Sequence, residues 1–327
     1  MEFLKAYFTE LEFIRQPGFR VSYPEGKNMA LKMAWQSPAI LLGIYKEHKR
    51  LKKIIRNYKI DAVISDNRFG MWSKKVFSVY ITHQLMIKAP ASMKWAEPLL
   101  HKAHQWIIHH YDECWVPDIP GEKNLSGDLG HKYALHSNAH FIGILSRFNI
   151  ENDKAGQEVK EKAPELLFLL SGPEPQRSIF EDTILNQLKA NAQPNVVILR
   201  GLPGNPEQSS PLPGVISYNH LPDEEISRLI RSAGTIICRP GYSTLMDLVT
   251  LGRSAILVPT PGQTEQEYLA GHLSAKGQFI MIEQDGFSLG VAINKGRELP
   301  ELIDFRNDPS LLENAVSGLR NKMISGN

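Results

Sequence analysis

Short runs of β-branched and other apolar residues recur along the chain, and segments with helical periodicity separate them. These runs are apolar nearly throughout, which is typical of strands that are buried on both faces, as in a parallel sheet. Because strands and helices alternate, the sequence predicts an α/β fold with a mostly parallel sheet. The predicted strands are residues 61–65, 78–83, 113–116, 139–143, 166–170, 195–199, 234–238 and 254–258.

The 327 residues of the chain are enough for two domains of ordinary size. Residues 147–163 are charged and poor in apolar side chains, as interdomain linkers are. We therefore expect an N-terminal domain over residues 1–146, a linker over 147–163 and a C-terminal domain over 164–327, with a ligand-binding cleft between the domains. Residues 310–324 have helical periodicity, and this last helix packs on either the C-terminal or the N-terminal domain.

Composition excludes several classes of protein. Lysine plus arginine number 37 and aspartate plus glutamate 35, so the formal net charge is +2, which argues against a dedicated nucleic-acid-binding protein. The two cysteines, Cys114 and Cys238, are too few for a disulfide scaffold or a cysteine-rich zinc site. No apolar run reaches the roughly 18 residues that span a bilayer, and the first ten residues carry charges where a signal peptide is apolar. These features predict a cytoplasmic protein.

The segment from Cys238 to Gly252 joins a predicted strand to a predicted helix through a glycine turn at Gly241. Such a junction presents backbone N–H groups to an anion. Asp247 follows Thr244 by three residues, where its carboxylate can accept hydrogen bonds from a ribose diol. The alternative is that Thr244 and Asp247 only cap the helix and that Gly241 only makes the turn.

Residues 259–268 form a second junction of the same kind. Gln266 and Glu267 lie in the predicted first turn of the helix, where an amide and a carboxylate suit the hydroxyl groups of a sugar. The alternative is that Glu267 is only the second half of a capping box. Another capping box, formed by Ser178 and Glu181, predicts the start of an earlier helix.

Taken together, residues 239–252 and 259–267 resemble the donor-binding half of GT-B glycosyltransferases. They are most similar to the family 28 type, which includes the bacterial N-acetylglucosaminyltransferase of lipid II synthesis. Residues 143–147 resemble the family's Gly-Asn-Pro-Val-Arg junction, residues 171–177 occupy the place of its Gly-Gly-Ser loop, and residues 219–222 lie where the nucleobase meets main chain. The similarity covers the C-terminal half well and the N-terminal half only in outline.

This resemblance implies two Rossmann-like doubly wound domains facing a cleft, with the nucleotide-sugar donor bound by the second domain. Asp247, in place of the family's usual glutamate, would bind the ribose, Gln266 would contact the donor sugar, and Leu221 would lie beside the base. The implied substrate-binding residues are Arg147, Gly172, Arg177, Leu221, Arg239, Gly241, Tyr242, Ser243, Thr244, Asp247, Gln263, Gln266 and Glu267.

The sequence departs from the family pattern in two places. Pro173 replaces the small hydroxyl residue of the phosphate loop and removes one N–H donor. Arg177 either compensates with a charged fork toward the phosphates or is a solvated surface residue. The first strand and the glycine-rich loop of a doubly wound domain are not found in the N-terminal half. Either the chain starts late, or this domain lacks its usual first unit.

Two residues on the acceptor side are candidates for catalysis. Asp66 and His83 each follow a predicted strand, at the edge of an open α/β domain where ligands bind. Either side chain can orient or deprotonate an acceptor hydroxyl. The alternative is that Asp66 caps a turn and His83 hydrogen-bonds locally. Residues 46–56 form a basic helix that either touches an anionic membrane carrying a lipid acceptor or is a solvated helix face.

The resemblance predicts a glycosyltransferase that moves a sugar from a nucleotide-diphosphate donor, UDP-linked by analogy, to a lipid-linked or polysaccharide acceptor. It predicts no cofactor, no metal and no nucleic-acid partner, and a cytoplasmic location with peripheral contact on the inner face of the membrane. Two alternatives remain: a sugar-nucleotide epimerase or hydrolase on the same fold, and a catalytically degenerate protein that only binds a nucleotide sugar.

Overall fold

The structure is a computed structural model that describes residues 4–5, 8–16, 29–148, 163–202, 207–302, 305 and 308–324. Contacts between Cα atoms divide the chain into two compact units. The N-terminal unit comprises residues 14–144 with 306–327, and the C-terminal unit comprises residues 1–13 with 145–305. Most of the predicted linker, residues 149–162, lies outside the described residues, so the predicted domain boundaries stay a prediction.

A four-stranded parallel sheet forms the centre of the N-terminal unit. Its elements are α1 (Met29–Tyr58), β1 (Ala62–Asp66), β2 (Phe77–Ile81), a 3₁₀ helix (Ala91–Ala96), α2 (Glu97–Ile108), β3 (Glu113–Val116), α3 (Asp128–His131) and β4 (Ala139–Phe141). The strands lie in the order β1-β2-β3-β4. Because all of them are parallel, their carboxyl ends meet at one edge of the sheet, which is where ligands bind in open α/β sheets.

A seven-stranded sheet forms the centre of the C-terminal unit. Its elements are β5 (Leu166–Leu169), α4 (Gln176–Ala190), β6 (Val196–Leu199), β7 (Gln208–Leu212), β8 (Val215–Tyr218), α5 (Asp223–Ser232), β9 (Thr235–Cys238), α6 (Tyr242–Thr250), β10 (Ile256–Leu257), α7 (Thr264–Ala275), β11 (Ile280–Met281) and α8 (Leu289–Gly296). The strand order is β11-β10-β9-β5-β6-β8-β7, and only β7 is antiparallel to its neighbour. From β5 the strands β6 and β8 continue toward one edge of the sheet, whereas β9, β10 and β11 continue toward the other. The boundary between β5 and β9 is therefore the topological switch point.

The last described helix, α9 (Pro309–Ile324), belongs to the N-terminal unit. Ala315 and Leu319 are its buried residues. The Lys322 ammonium donates to the Glu113 carboxylate at the start of β3, and it lies 5.0 Å from the ring centroid of Phe77. An ion pair and a cation–π contact thus join this helix to the first half of the chain.

Apolar packing holds α4 against the sheet of the C-terminal unit. Phe180, Ile184 and Leu188 recur on one helix face and are buried against strand residues such as Phe168 and Ile198. Burial of each such side chain contributes about 1.5–3 kcal/mol relative to its exposure. The helix thereby fixes the loop that precedes it, residues 170–175, over the carboxyl end of β5.

The predicted α/β class with parallel sheets is confirmed, and the eight strands predicted from residue 61 onward are present with their ends displaced by no more than two residues. A further strand that the sequence predicts over residues 11–14 is wrong, because these residues have no regular secondary structure. Three strands were not predicted. β7 is an edge strand of mostly polar residues with a proline, β8 alternates buried and exposed residues, and β11 contains only two residues. β7 and β8 lack the continuous apolar run by which the others were recognised, whereas β11 lies inside such a run, residues 279–282, that was overlooked.

The predicted capping box at Ser178 is wrong. The helix begins two residues earlier, at Gln176, so Ser178 lies inside its first turn. The carboxylate of Glu174 performs the capping instead, because it accepts hydrogen bonds from the Ser178 backbone N–H at 3.3 Å and from the Ser178 hydroxyl at 2.8 Å. Glu181 pairs with Arg177 rather than with the helix terminus.

Within the part of the chain that the structure describes, no helix combines the length and the hydropathy that crossing a bilayer requires.

Candidate functional site

A pocket opens at the carboxyl edge of the seven-stranded sheet, beside the switch point between β5 and β9. Residues that follow β5, β6 and β8 line it together with residues from α5 and α6, so several loops converge on one place although they are distant in sequence. The lining residues are Arg147, Leu169, Leu170, Ser171, Leu199, Gly201, Asn219, His220, Leu221, Ile226, Ile230, Thr244 and Asp247.

One side of this pocket is apolar. Leucine side chains come from the ends of β5 and β6, and Leu221 comes from the loop before α5. Ile226 and Ile230, one helical turn apart on α5, are buried behind them. A flat, largely apolar group of the size of a nucleobase is the kind of ligand that such a wall accommodates, since binding removes apolar surface from water.

The other side of the pocket is polar and is organised by Asp247, in the second turn of α6. One carboxylate oxygen accepts a hydrogen bond from the Ser146 hydroxyl at 2.7 Å, and the other accepts one from Nε of Arg147 at 3.2 Å. The same guanidinium donates from Nη1 to Asp223 at 2.9 Å. Arg147 therefore bridges the carboxylates of two helices at the mouth of the pocket.

Burial shifts the ionisation of two groups in the pocket. It raises the pKa of Asp247 above the ordinary value for aspartate, although the hydrogen bonds from Ser146 and Arg147 oppose the shift. Burial and the nearby charge of Arg147 lower the pKa of His220. The imidazole of His220 is therefore neutral at pH 7, and the pocket presents one cation, Arg147, between two acidic side chains.

Four of the residues predicted to bind substrate line this single pocket: Arg147, Leu221, Thr244 and Asp247. Gly241 is the N-cap of α6, with no side-chain capping bond, and Tyr242 and Ser243 are the first two helical residues. Gly172, next to the pocket residue Ser171, has a φ of +121° that only glycine adopts readily.

Arg177 and Arg239 do not reach the pocket. The Arg177 guanidinium is held by Glu174 and by Glu181, which lies 2.9 Å away. Arg239 is almost completely buried, where it lies 4.4 Å from the ring centroid of Phe180 and donates to two backbone carbonyls and to Gln284. Burial lowers the pKa of Arg239 to about 10. Both arginines hold the core and the loops around it, so the proposed site does not include them.

The residues of the second junction hold their own loop. The Gln266 side-chain oxygen accepts a hydrogen bond from the Thr260 backbone N–H at 2.9 Å, and Glu267 accepts one from the Gly262 backbone N–H at 2.8 Å. Gln263 is the N-cap of α7. A capping box would have Glu267 accept from Thr264, but this carboxylate instead binds Gly262, two residues before the helix, and the N-cap makes no side-chain capping bond.

In the N-terminal unit, Asp66 and His83 both lie at the carboxyl edge of the four-stranded sheet. Asp66 ends β1 and is exposed, and His83 follows β2. One ring nitrogen of His83 lies 3.3 Å from the amide nitrogen of Gln84. Their placement agrees with the prediction from strand ends, while their role in catalysis stays a prediction.

Sequence reasoning missed Ser146, Ser171, Gly201 and Asp223, which the fold brings to the pocket or to its mouth. For Asp223 a signal was available, because an acidic residue directly after a proline marks the start of a helix whose N-terminus attracts charged ligands. Ser146 and Gly201 carry no such local signal, since they become site residues only through contacts with distant segments.

Residues 180–301 match the glycosyltransferase family 28 C-terminal domain. This match covers a little more than a third of the chain. The match includes both strand–turn–helix junctions and the pocket residues from Leu199 to Asp247. Arg147 and Ser171 lie before the segment that the family 28 domain covers.

Curated relatives extend the similarity beyond the family 28 domain. A protein of Methanosarcina mazei, described as an uncharacterized glycosyltransferase, is 20% identical over 247 residues, which are 71% of this chain and 63% of that protein. The UDP-N-acetylglucosamine–N-acetylmuramyl-(pentapeptide) pyrophosphoryl-undecaprenol N-acetylglucosamine transferase of Actinobacillus pleuropneumoniae is 22% identical over 260 residues, which are 77% of this chain and 67% of that enzyme.

A shorter alignment is closer in sequence. The corresponding transferase of Desulforudis audaxviator is 45% identical over 60 residues, which are 18% of this chain and 16% of that enzyme. The chain thus spans less than two thirds of the length of the Desulforudis and Methanosarcina relatives in these alignments.

Solved structures show the same fold. The glycosyltransferase of kitacinnamycin has a TM-score of 0.55 at 15% identity, with 90% of this chain and 80% of that chain covered. The Staphylococcus aureus MnaA–UDP complex has a TM-score of 0.52 at 10% identity, with 87% and 82% covered. These likenesses confirm the predicted GT-B class, in which each of two domains has a Rossmann-like α/β fold.

Proposed function

We propose that this chain is a glycosyltransferase that takes a sugar from a UDP-linked donor bound in the C-terminal unit and transfers it to an acceptor hydroxyl. The observation that carries this proposal is the pocket at the switch point of the family 28 domain. It combines an apolar wall with a carboxylate, Asp247, on the helix after β9. Two relatives whose names specify a UDP-N-acetylglucosamine donor support the choice of nucleotide.

In this proposal the base lies against Leu221 and the apolar wall, and the ribose hydroxyls bind to Asp247. Asp247 is in contact with Ser146 and Arg147, so donor binding exchanges part of that contact for hydrogen bonds from the ribose. His220 is neutral and adds no charge beside the base. Arg147 is then left with Asp223 and supplies positive charge toward the phosphates.

The diphosphate is proposed to bind at the beginning of α6. The nine residues of α6 start at Tyr242, and Gly241, its N-cap, provides no side chain to occupy the first backbone N–H groups. Helix N-termini stabilise negative charge, and the charge on the diphosphate grows as its bond to the sugar breaks. Gly172, in the loop after β5, and Ser243, in the first turn of α6, are proposed to face the diphosphate, and Gln266 remains our candidate for contact with the sugar.

The acceptor is proposed to be lipid-linked, because the N-terminal unit presents apolar and basic side chains together to solvent. Trp95, Leu99 and Trp106 follow a helical spacing along the 3₁₀ helix and α2, and the exposed fractions of the two tryptophans are 76% and 66%. Lys94 and Lys102 are exposed beside them. Tryptophan and lysine in this combination are typical of surfaces that lie in the interface of an anionic bilayer.

A second part of the N-terminal unit has the same character. Leu41, Leu42 and Tyr45 are exposed on α1, and the exposed basic residues of the predicted 46–56 helix follow directly. These apolar side chains therefore add to the predicted membrane contact of the basic segment, residues 46–56. We place the protein peripherally on the inner face of a membrane.

Thermal unfolding of the full chain with UDP, GDP, ADP and dTDP tests the donor site. A ligand at about 100 times its dissociation constant stabilises a protein by about 2.7 kcal/mol, so UDP should raise the Tm and the other nucleotides should not. Asp247→Ala should abolish the shift. Asp182→Ala, which removes an exposed carboxylate from α4, serves as the matched control and should retain it.

Incubation with UDP-N-acetylglucosamine distinguishes the transferase from its alternatives. Release of UDP that requires an added hydroxyl acceptor supports transfer. An altered sugar or free sugar formed without any acceptor would instead support an epimerase or a hydrolase. Binding of UDP without any turnover would support a degenerate nucleotide-sugar-binding protein, and the absence of UDP binding would refute the donor-site assignment.

A further inference from the structure

A buried aspartate in the N-terminal unit is surrounded by hydrogen-bond donors. Asp118 lies two residues after β3 and is 0% exposed. One carboxylate oxygen accepts from the backbone N–H groups of Ile119 and Leu125, at 2.8 and 2.9 Å. The other accepts from the backbone N–H of Ser126 at 2.9 Å, from the Ser126 hydroxyl and from Nε2 of His131 at 3.1 Å.

These donors decide the ionisation state of Asp118. Burial alone raises the pKa of a carboxylic acid, but the hydrogen bonds from His131, Leu125 and Ser126 outweigh it and hold the pKa of Asp118 below its ordinary value. The fold thus maintains a buried carboxylate anion that is hydrogen-bonded to the imidazole of His131.

His131, the last residue of α3, is held in a defined orientation. Its ring stacks on Phe141 at the end of β4, with the centroids 4.6 Å apart and the planes inclined by 8°. The nitrogen that faces Asp118 is fixed by that contact, and 17% of the side chain is exposed to solvent. The other ring nitrogen has no hydrogen-bond partner among the residues that the structure describes.

Local packing places this pair at the carboxyl edge of the four-stranded sheet. The backbone N–H of Met86, in the loop after β2, donates to the Leu129 carbonyl of α3 at 2.9 Å. A Cβ atom at Gly130 would lie 2.5 Å from the Ser126 hydroxyl, so a side chain there would displace the hydroxyl that donates to Asp118. The loops after β2 and β3 and the last residue of β4 therefore meet around His131, at the edge where open α/β sheets bind their ligands.

An imidazole that is hydrogen-bonded on one side to a buried carboxylate and accessible on the other is the arrangement that enzymes use for general-base catalysis. We propose that His131 is the general base of the transfer and that Asp118 is its positioning residue. This inference rests on the proposed transferase function. It assigns the proton-accepting role to a residue other than Asp66 and His83.

The proposed step is a direct displacement. The oxygen of the acceptor hydroxyl forms a bond to the anomeric carbon, and the bond from that carbon to the diphosphate oxygen breaks with its electron pair leaving on UDP. The hydroxyl proton passes to the ring nitrogen of His131 that Asp118 does not hold. The resulting imidazolium is stabilised by the Asp118 carboxylate and loses its proton to water when the product leaves.

Turnover of the His131→Gln variant provides the first test. UDP release from UDP-N-acetylglucosamine should be measured with the full chain, with glycerol as the hydroxyl acceptor. Loss of a general base lowers a rate by about 100-fold or more, so we expect that loss in His131→Gln, while the affinity for UDP measured by calorimetry stays unchanged. His109→Gln, on the exposed end of α2, is the matched control and should retain the wild-type rate.

The pH profile separates a base from a structural residue. Asp118 contacts the ring, while the nearest charged residues in the chain, Asp128 and Lys132, pair with Lys88 and Glu97. The wild-type rate should fall in acid as the imidazole becomes protonated, and this fall should be absent in His131→Gln. Asp118→Asn should lower the rate and change the pH profile while UDP affinity stays unchanged.

Nitrogen-15 NMR of the histidine side chains gives a readout that does not need turnover. In the neutral ring we expect the proton of His131 to lie on the nitrogen that faces Asp118, and we expect Asp118→Asn to change this tautomer. A wild-type His131 protonated on the opposite nitrogen would overturn the inference, as would a His131→Gln variant that binds UDP and turns over at the wild-type rate. A wild-type protein that does not bind UDP would refute the proposed function itself.

Discussion

Arg147 donates a hydrogen bond from Nε to Oδ2 of Asp247 over 3.2 Å, and the two residues are 100 positions apart in the sequence. Ser146 completes the contact from the same segment. A two-residue stretch after β4 therefore controls the carboxylate that we assign to the ribose. Donor binding has to compete with this contact, so its strength sets part of the donor affinity.

Removal of the Arg147 guanidinium tests its part in donor binding. Arg147→Ala removes the cation that faces the phosphates, and a hydrogen bond to a charged group contributes about 1.5–3 kcal/mol. We therefore expect the Kd for UDP, measured by calorimetry, to rise by about tenfold or more. Arg228→Ala, at an exposed position of α5, removes the same charge away from the pocket and should leave the Kd unchanged. An unchanged Kd in Arg147→Ala would show that Arg147 stabilises the fold and does not contribute to UDP binding.

Gly201 is expected to be sensitive to any side chain. Its φ is +67°, and a Cβ atom would lie 2.8 Å from the Leu170 carbonyl oxygen at the pocket wall. Backbone strain of this kind costs about 1–3 kcal/mol, so Gly201→Ala should lower the free energy of unfolding in urea by that amount and weaken UDP binding. In Gly271→Ala the new Cβ meets no atom within 4 Å inside α7, and the same substitution should stabilise the protein by about 0.5–1 kcal/mol.

His104 makes the N-terminal unit sensitive to acid. Burial lowers the pKa of this imidazole to about 4, and its Nε2 lies 3.2 Å from the Tyr80 hydroxyl. In the unfolded chain this imidazole takes up a proton at about pH 6.5, whereas in the folded chain it does so only at about pH 4. The contribution of neutral His104 to the free energy of unfolding is therefore complete above pH 6.5 and is lost as the pH falls toward 4.

Urea unfolding at two pH values measures the effect of His104. Between about pH 7.5 and pH 5 the wild-type protein should lose about 2 kcal/mol through this residue. His104→Gln retains a polar partner for Tyr80 and lacks the titration, so its loss over the same interval should be smaller by that amount. Equal losses in both proteins would contradict the shift in the pKa of His104.

Sedimentation with lipid vesicles tests the exposed surface of α2. Trp95→Ala and Trp106→Ala should each reduce binding to phosphatidylglycerol vesicles, because interfacial tryptophans lose apolar burial. Replacement of Lys94 or Lys102 by Gln should remove about 1 kcal/mol of the salt-sensitive attraction. Ile179→Ala, on α4 of the C-terminal unit, is the control for loss of an exposed apolar residue. Equal binding of all variants would exclude this surface from membrane contact.

The regular parts of the fold could be predicted because continuous apolar runs such as residues 166–169 and 235–238 are typical of buried strands. Strands without such a run were not recognised, and β7 is the example, since its exposed polar residues pair only with β8. Helix starts were less predictable, because the side chain that caps α4 belongs to Glu174, which lies before the helix, and not to Ser178.

The site could be predicted only as far as local patterns reach. Thr244 and Asp247 follow a strand and a glycine turn within one segment, and they line the pocket together. Asp118, Ser126 and His131 lie in one segment that follows β3, but their contacts with one another depend on how this segment folds and not on a local sequence pattern. Arg177 and Arg239 were predicted to bind substrate, but Arg177 pairs with carboxylates three and four residues away in the sequence, and Arg239 donates to backbone carbonyls that come from distant segments.

Helix α9 also bears on the order in which the chain can fold during synthesis. Glu113 leaves the ribosome 209 residues ahead of Lys322, its ion-pair partner. The sheet of residues 62–141 is therefore translated in full before α9, and the whole C-terminal sheet is translated between the two. The nascent N-terminal unit has to keep its α9-binding face unoccupied through that time, which makes this face a natural point of contact for chaperones.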